Sequence, residues 1–125
     1  MVAGQSVAHH HLDKKRAMTR PKAVKVSPYL WAIKWSRQSV LSFHPNGDAC
    51  GACDAESMTI AVDPGKAEDY ARATLLHEIL HACIRSSDPH LDDDQEEAAV
   101  AAITGPLLAC LRDNPEVIEY LTTKP

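Results

Sequence analysis

The stretch His77-Glu78-Ile79-Leu80-His81, inside the apolar run Thr74 to Ile84, constrains this chain more than any other. Residues four apart share one face of a helix, so the two imidazoles can grip a single metal ion while Glu78 stands beside them. Seven histidines and seven glutamates in 125 residues supply about 0.02 such matches by chance. Leu75, Leu76, Ile79, Leu80, Ala82 and Cys83 make the helix apolar nearly all round, the mark of a buried central helix. Two histidines and a glutamate inside it need partners. A metal supplies them; ordinary hydrogen-bond partners in a core helix are the plainer alternative.

Zinc suits this donor set. It takes nitrogen, sulfur or carboxylate ligands in tetrahedral array, and a catalytic site spends three positions on protein and one on water. The ion lowers the pKa of that water towards about 7, so a neighbouring carboxylate, here Glu78, can take its proton.

A third ligand is expected on the helix that starts near Asp92, Asp93 and Asp94, where carboxylates suit a helix N-terminus. Its apolar stripe reads Val100, Ile103, Leu107 and Leu111. One turn back from Val100 stands Glu96, near the centre of that stripe, while Glu97 lies about 100° round the helix. A bare carboxylate on a core face is costly, so Glu96 is the expected ligand. Glu97 is the alternative, because a shift of the helix start or a rotation exchanges the two. For both, an acidic first turn serving only the helix dipole is the plainer alternative, and Asp92 to Asp94 are read as solvated.

The remaining chain reads as α+β. Residues 1–22 are polar and basic without periodicity and form a flexible lead-in, with His9, His10 and His11 an incidental tract; residues 23–125 form one domain. Val24 and Val26, then Tyr29, Trp31, Ile33 and Trp35, alternate at period two and predict strands broken at Ser27-Pro28. Val40 to Phe43 predicts a further short strand before the turn cluster His44 to Asp48, and Met58 to Val62 another, ended by Asp63-Pro64-Gly65. The metal-binding helix is expected from about Lys66 to Ser86. The next runs from Gln95 to a kink or break at Gly105-Pro106 and on to Asp113, and a last one from Glu116 to about Leu121.

Cys50 and Cys53 allow a zinc knuckle with His44, a redox pair, or a reduced loop; no second cysteine pair follows to complete four ligands. Cys83 and Cys110 fall in the expected helices and read as small core hydrophobes. A net charge of −4 gives no basic footprint for nucleic acid, and Lys14, Lys15, Arg16, Arg20, Lys22 and Lys25 read as a solvated tail. No run is long enough for a membrane helix and no secretory signal is visible, so the cytoplasm is the expected location.

The helix with His77, Glu78 and His81, followed some fifteen residues later by a glutamate on the next helix, resembles the gluzincin metallopeptidases. The segment Cys53-Asp54 to Val62 and the ending Leu111-Arg-Asp-Asn-Pro-Glu116 also look like small zincin-like proteins of phage and prophage type. The likeness covers roughly residues 25–122. It implies a minimal gluzincin fold: a small antiparallel sheet packed on the active-site helix and a C-terminal glutamate helix, with zinc at their crossing. It also implies an edge strand, here Met58 to Val62, that holds extended peptide above the metal. The chain departs from larger members in two ways. Position 100 is Val rather than an acid that would orient a zinc histidine, and no downstream domain supplies an oxyanion donor, leaving Tyr120 or His90 for that part.

The expected function is therefore a zinc metallopeptidase, with His77, His81 and Glu96 (or Glu97) on the ion, Glu78 as general base, and a peptide or protein substrate. A zinc-stabilised binding or regulatory module without catalysis is the second reading. A SprT-like protease acting on DNA-bound proteins is the third, ranked below because the chain is acidic and has a single cysteine pair.

Overall fold

The computed structural model describes residues 19–87 and 90–125. His9, His10, His11, Lys14, Lys15 and Arg16 lie outside the described residues. In chain order the elements are β1 (Ala23–Val26), β2 (Tyr29–Trp35), α1 (Arg37–Phe43), β3 (Gly51–Asp54), β4 (Thr59–Val62), α2 (Glu68–Ser86), α3 (Asp93–Asp113) and α4 (Pro115–Thr122). The described residues form a small α+β fold with a four-stranded sheet of order β1-β2-β4-β3.

The sheet is mixed, where the gluzincin resemblance implies an antiparallel one. β1 and β3 pair antiparallel with their neighbours, but β2 and β4 run parallel, Ile33 beside Ile60 and Trp35 beside Val62. The reason is α1. Val40 to Phe43, expected as a strand, is helical because Ser36 caps it, its hydroxyl accepting from the Ser39 amide at 3.1 Å. The helix carries the chain across one sheet face, so β4 can enter beside β2 in the same direction. One turn places Val40 and Phe43 on the same side, against Ala52 and Ala61.

The strands then read simply. Ile60 and Val62 face α2 with Trp31 and Ile33, while Ala61 faces α1, so β4 is buried on both sides. It is an interior strand. The free edge beside α2 is β3, not Met58 to Val62 as expected. Arg37 closes the loop between α1 and β3, donating to Ala49 O at 2.7 Å and Gly47 O at 2.6 Å.

Other expectations shift by a few residues or change character. The domain starts before residue 23: Arg20 pairs with Glu68 at 2.9 Å, donates to Pro64 O and lies over the Trp35 ring. α3 is one continuous helix through Gly105 and Pro106. Both residues are exposed, so water can take the carbonyl of Ala102 that loses its partner to the proline ring. Cys83 and Cys110 are helical as expected but exposed rather than in the core. α4 starts with Pro115 in its first turn and contributes no buried residue. No helix among the described residues is long and apolar enough to cross a membrane.

Candidate metal centre

α2 lies along the sheet with three jobs divided around its circumference. At about 100° per residue, Ala71, Leu75, Ile79 and Ala82 form the stripe that faces the sheet. Tyr70, Thr74, His77, His81 and Arg85 form the next stripe, which lines a groove of about 760 Å³ between α2, α3 and the β3 edge. Glu78 falls on the boundary between the two, which buries it to 7 % exposure while leaving it at the groove wall.

α3 closes the groove. Asp92 caps it through the Gln95 amide at 2.8 Å, with the Gln95 side chain returning the bond at 3.0 Å. Its buried residues are Glu96, Val100 and Thr104, while Ile103 is 46 % exposed. The helix is therefore rolled relative to the stripe Val100, Ile103, Leu107, Leu111, and the roll brings both glutamates to α2, Glu96 within the buried stripe and Glu97 at its exposed flank.

Three side chains converge. His81 Nε2 stands 2.8 Å and His77 Nε2 3.2 Å from Glu97 Oε1, and one ligand atom from each residue lies within 4.8 Å of the others. The two rings meet edge to face with centroids 4.9 Å apart. Glu97 thus joins the histidines; the residue first expected there, Glu96, does not. Its carboxylate meets the other side of the His81 ring, Oε2 to Nδ1 at 2.5 Å, and accepts from Arg85 Nε at 3.1 Å. Burial of Glu96 without a metal contact is possible because that guanidinium supplies the opposite charge.

The donor chemistry fits a divalent cation. Two imidazole nitrogens and a carboxylate oxygen stand together, and a neutral His81 can donate from only one nitrogen although carboxylates face both. A cation among His77, His81 and Glu97 satisfies all three donors and leaves the His81 N–H for Glu96. Burial pushes Glu97 upward, but the hydrogen bonds and charges of His81 and His77 outweigh it and hold the carboxyl below its ordinary value. Glu78 goes the other way. Burial raises it to about 7, with Glu97 adding to the rise and the charges of His81 and Arg85 opposing it.

Glycine at 51 makes room for Glu78. A Cβ there would lie 2.5 Å from Thr74 Cγ2, 2.9 Å from Glu78 Oε2 and 3.2 Å from Ala61 O. Gly51→Ala is expected to destabilise the chain by about 1–3 kcal/mol as the site repacks. Adding Thr74→Ser, which removes that Cγ2, should restore part of the loss in urea unfolding. Equal stability of Gly51→Ala and wild type would show that the Glu78 wall is looser than drawn.

The other expected residues lie outside the three-residue donor group. His44 and Cys50 sit on the groove wall, and Cys50 donates weakly to Tyr70 Oη at 3.6 Å. Cys53 packs against the main core, where burial pushes its thiol up to about 12. The metal-competent group among the described residues contains neither cysteine, and a thiol so held is poorly suited to ligation or redox exchange. Tyr120, 82 % exposed on α4, and His90 are absent from the groove lining among the described residues. Tyr70 and Arg85 line it instead. Both were findable from sequence, seven residues before His77 and four after His81 on the same helix face. No protein family, curated protein or solved structure matches this chain.

Proposed function

We propose that this chain is a zinc-dependent peptidase of the zincin type, with His77, His81 and Glu97 as metal ligands and Glu78 as general base. The observation that carries the reading is the convergence of those three donors within 4.8 Å, with a buried, high-pKa carboxylate beside them on the wall of one groove. Zinc held there would acidify a water and polarise a carbonyl.

The chain's own residues do the rest. Glu78 takes the proton released as water adds to the peptide carbon and delivers it to the departing amine as the C–N bond breaks. Its placement at the edge of the core keeps bulk water from competing for that proton. Support for a peptide substrate comes from β3, an edge strand whose Gly51 and Cys53 line the groove and whose Cys53 carbonyl accepts from Arg85. An extended peptide would add there as a further strand by taking the place of Arg85 on that carbonyl. The four cysteines, all free, suit a cytoplasmic setting.

The test is zinc content with peptide digestion. The purified chain should carry about one zinc, and His81→Ala or Glu97→Ala should lose it. A peptide library should be cleaved by the loaded protein and spared after chelation. Absence of stoichiometric zinc in wild type would end this reading. The second reading, a zinc-stabilised binding module, is favoured by the position of Tyr120 and His90 outside the groove lining. It expects zinc to raise the Tm with no peptide cleaved.

A further inference from the structure

We infer that Glu96 is a positioning residue, held in place by Arg85, that fixes the His81 ring with its Nε2 turned to the metal. The inference rests on the zinc reading above and assigns a part of the site outside the ligand set.

Glu96 is 5 % exposed, so its orientation is set by what it touches. Its Oε2 receives two donors, His81 Nδ1 at 2.5 Å and Arg85 Nε at 3.1 Å. Arg85 is itself anchored, with Nη1 donating to the Cys53 carbonyl of β3 at 2.6 Å. A neutral imidazole carries one N–H. When that N–H is Nδ1–H donated to Glu96, the free lone pair is on Nε2, the nitrogen that stands beside Glu97. The carboxylate therefore selects the tautomer, sets the ring plane and raises the ring's strength as a ligand.

The arrangement is one-sided. Among the described residues no hydrogen bond reaches Nδ1 of His77, whose contact is through Nε2 to Glu97. Of the two histidines, loss of Glu96 thus acts on His81, and Arg85 supports that contact by holding the Glu96 carboxylate.

The experiment measures zinc affinity by chelator competition in the full chain, together with proton NMR of the cobalt-substituted protein in water, where imidazole N–H protons of the ligands are resolved. Glu96→Ala should keep one zinc per chain but weaken its Kd by about 10- to 100-fold, with the protected His81 N–H signal lost. Glu96→Gln, nearly the same shape and still an acceptor, should keep the signal and recover part of the affinity. This variant also serves if Glu96→Ala does not fold. Glu97→Ala should lose stoichiometric metal. Arg85→Met should weaken binding by itself but add nothing to Glu96→Ala, since the two act in series. Unchanged affinity and an unchanged N–H signal in Glu96→Ala overturn the inference while leaving the zinc reading intact. Loss of metal in Glu96→Ala with retention in Glu97→Ala also overturns it, by making Glu96 the ligand. Wild type that binds no zinc at all removes the parent reading instead.

Discussion

Glu78→Gln is expected to leave zinc bound and the fold intact while lowering kcat for peptide hydrolysis by about 100- to 10,000-fold, the range a single general acid–base group supplies. The amide has the shape of the carboxylate, so it fits the space beside Gly51 and Thr74. It has no basic oxygen to accept the proton of water and no acidic proton to pass to the amine. The loss should fall on kcat rather than KM, because in the proposed mechanism the group acts on the reacting water and not on the bound peptide. Zinc content and the zinc-dependent rise in Tm report the site separately. A variant that holds zinc and cleaves at the wild-type rate would remove Glu78 from the mechanism.

The same residue should give the metal-free protein an unusual pH profile. In the folded chain burial raises Glu78 from 4.5 to about 7. Between those values the folded state keeps a proton that the unfolded state releases, so stability falls as pH rises through the window. At 1.36 kcal/mol per unit the loss amounts to about 3 kcal/mol by pH 8. Metal-free Glu78→Gln lacks this group, so it should be close to wild type at pH 4.5 and more stable by up to about 3 kcal/mol at pH 8. Urea unfolding of both proteins across that range, each stripped with chelator, is the measurement. Added zinc should shrink the difference, since a cation beside the carboxylate favours its charged form. A wild-type minus variant difference that is flat with pH would mean that Glu78 meets water freely in the folded chain.

Much of the architecture follows from patterns within single elements. The alternation of Trp31, Ile33 and Trp35 gives β2 its buried face, and the strand expected over Met58 to Val62 forms as Thr59–Val62, Met58 falling in the turn before it, because β-branched residues sit between turn signals. α2 ends at Ser86 as expected, and the acidic start of the next helix holds as a capping box. What these patterns leave open is how elements meet. Ser36-Arg37-Gln38-Ser39 is a capping signal four residues long, and apolar Val40 to Phe43 fits either a helix or a strand at that length. Only contact with Ala52 and Ala61 decides for the helix, and with it the parallel pairing of β2 and β4 and the identity of the edge strand.

The site divides along the same line. The spacing of His77 and His81 by itself places two imidazoles on one helix face, and the residue between them and the core, Glu78, follows from about 100° of rotation per residue. Local chemistry dictates this much, because a helix's periodicity is internal to it. Which of two adjacent glutamates joins the histidines is not internal to α3. It depends on the roll that buries Thr104 and exposes Ile103, and on Arg85, which supplies the charge that lets Glu96 remain buried away from the donor cluster. The order of residues determined that an acid would face the two histidines; packing of α3 on α2 decided which one, because a rotation of a few tens of degrees costs the chain's own periodicity nothing and is set only by the surface it rests on.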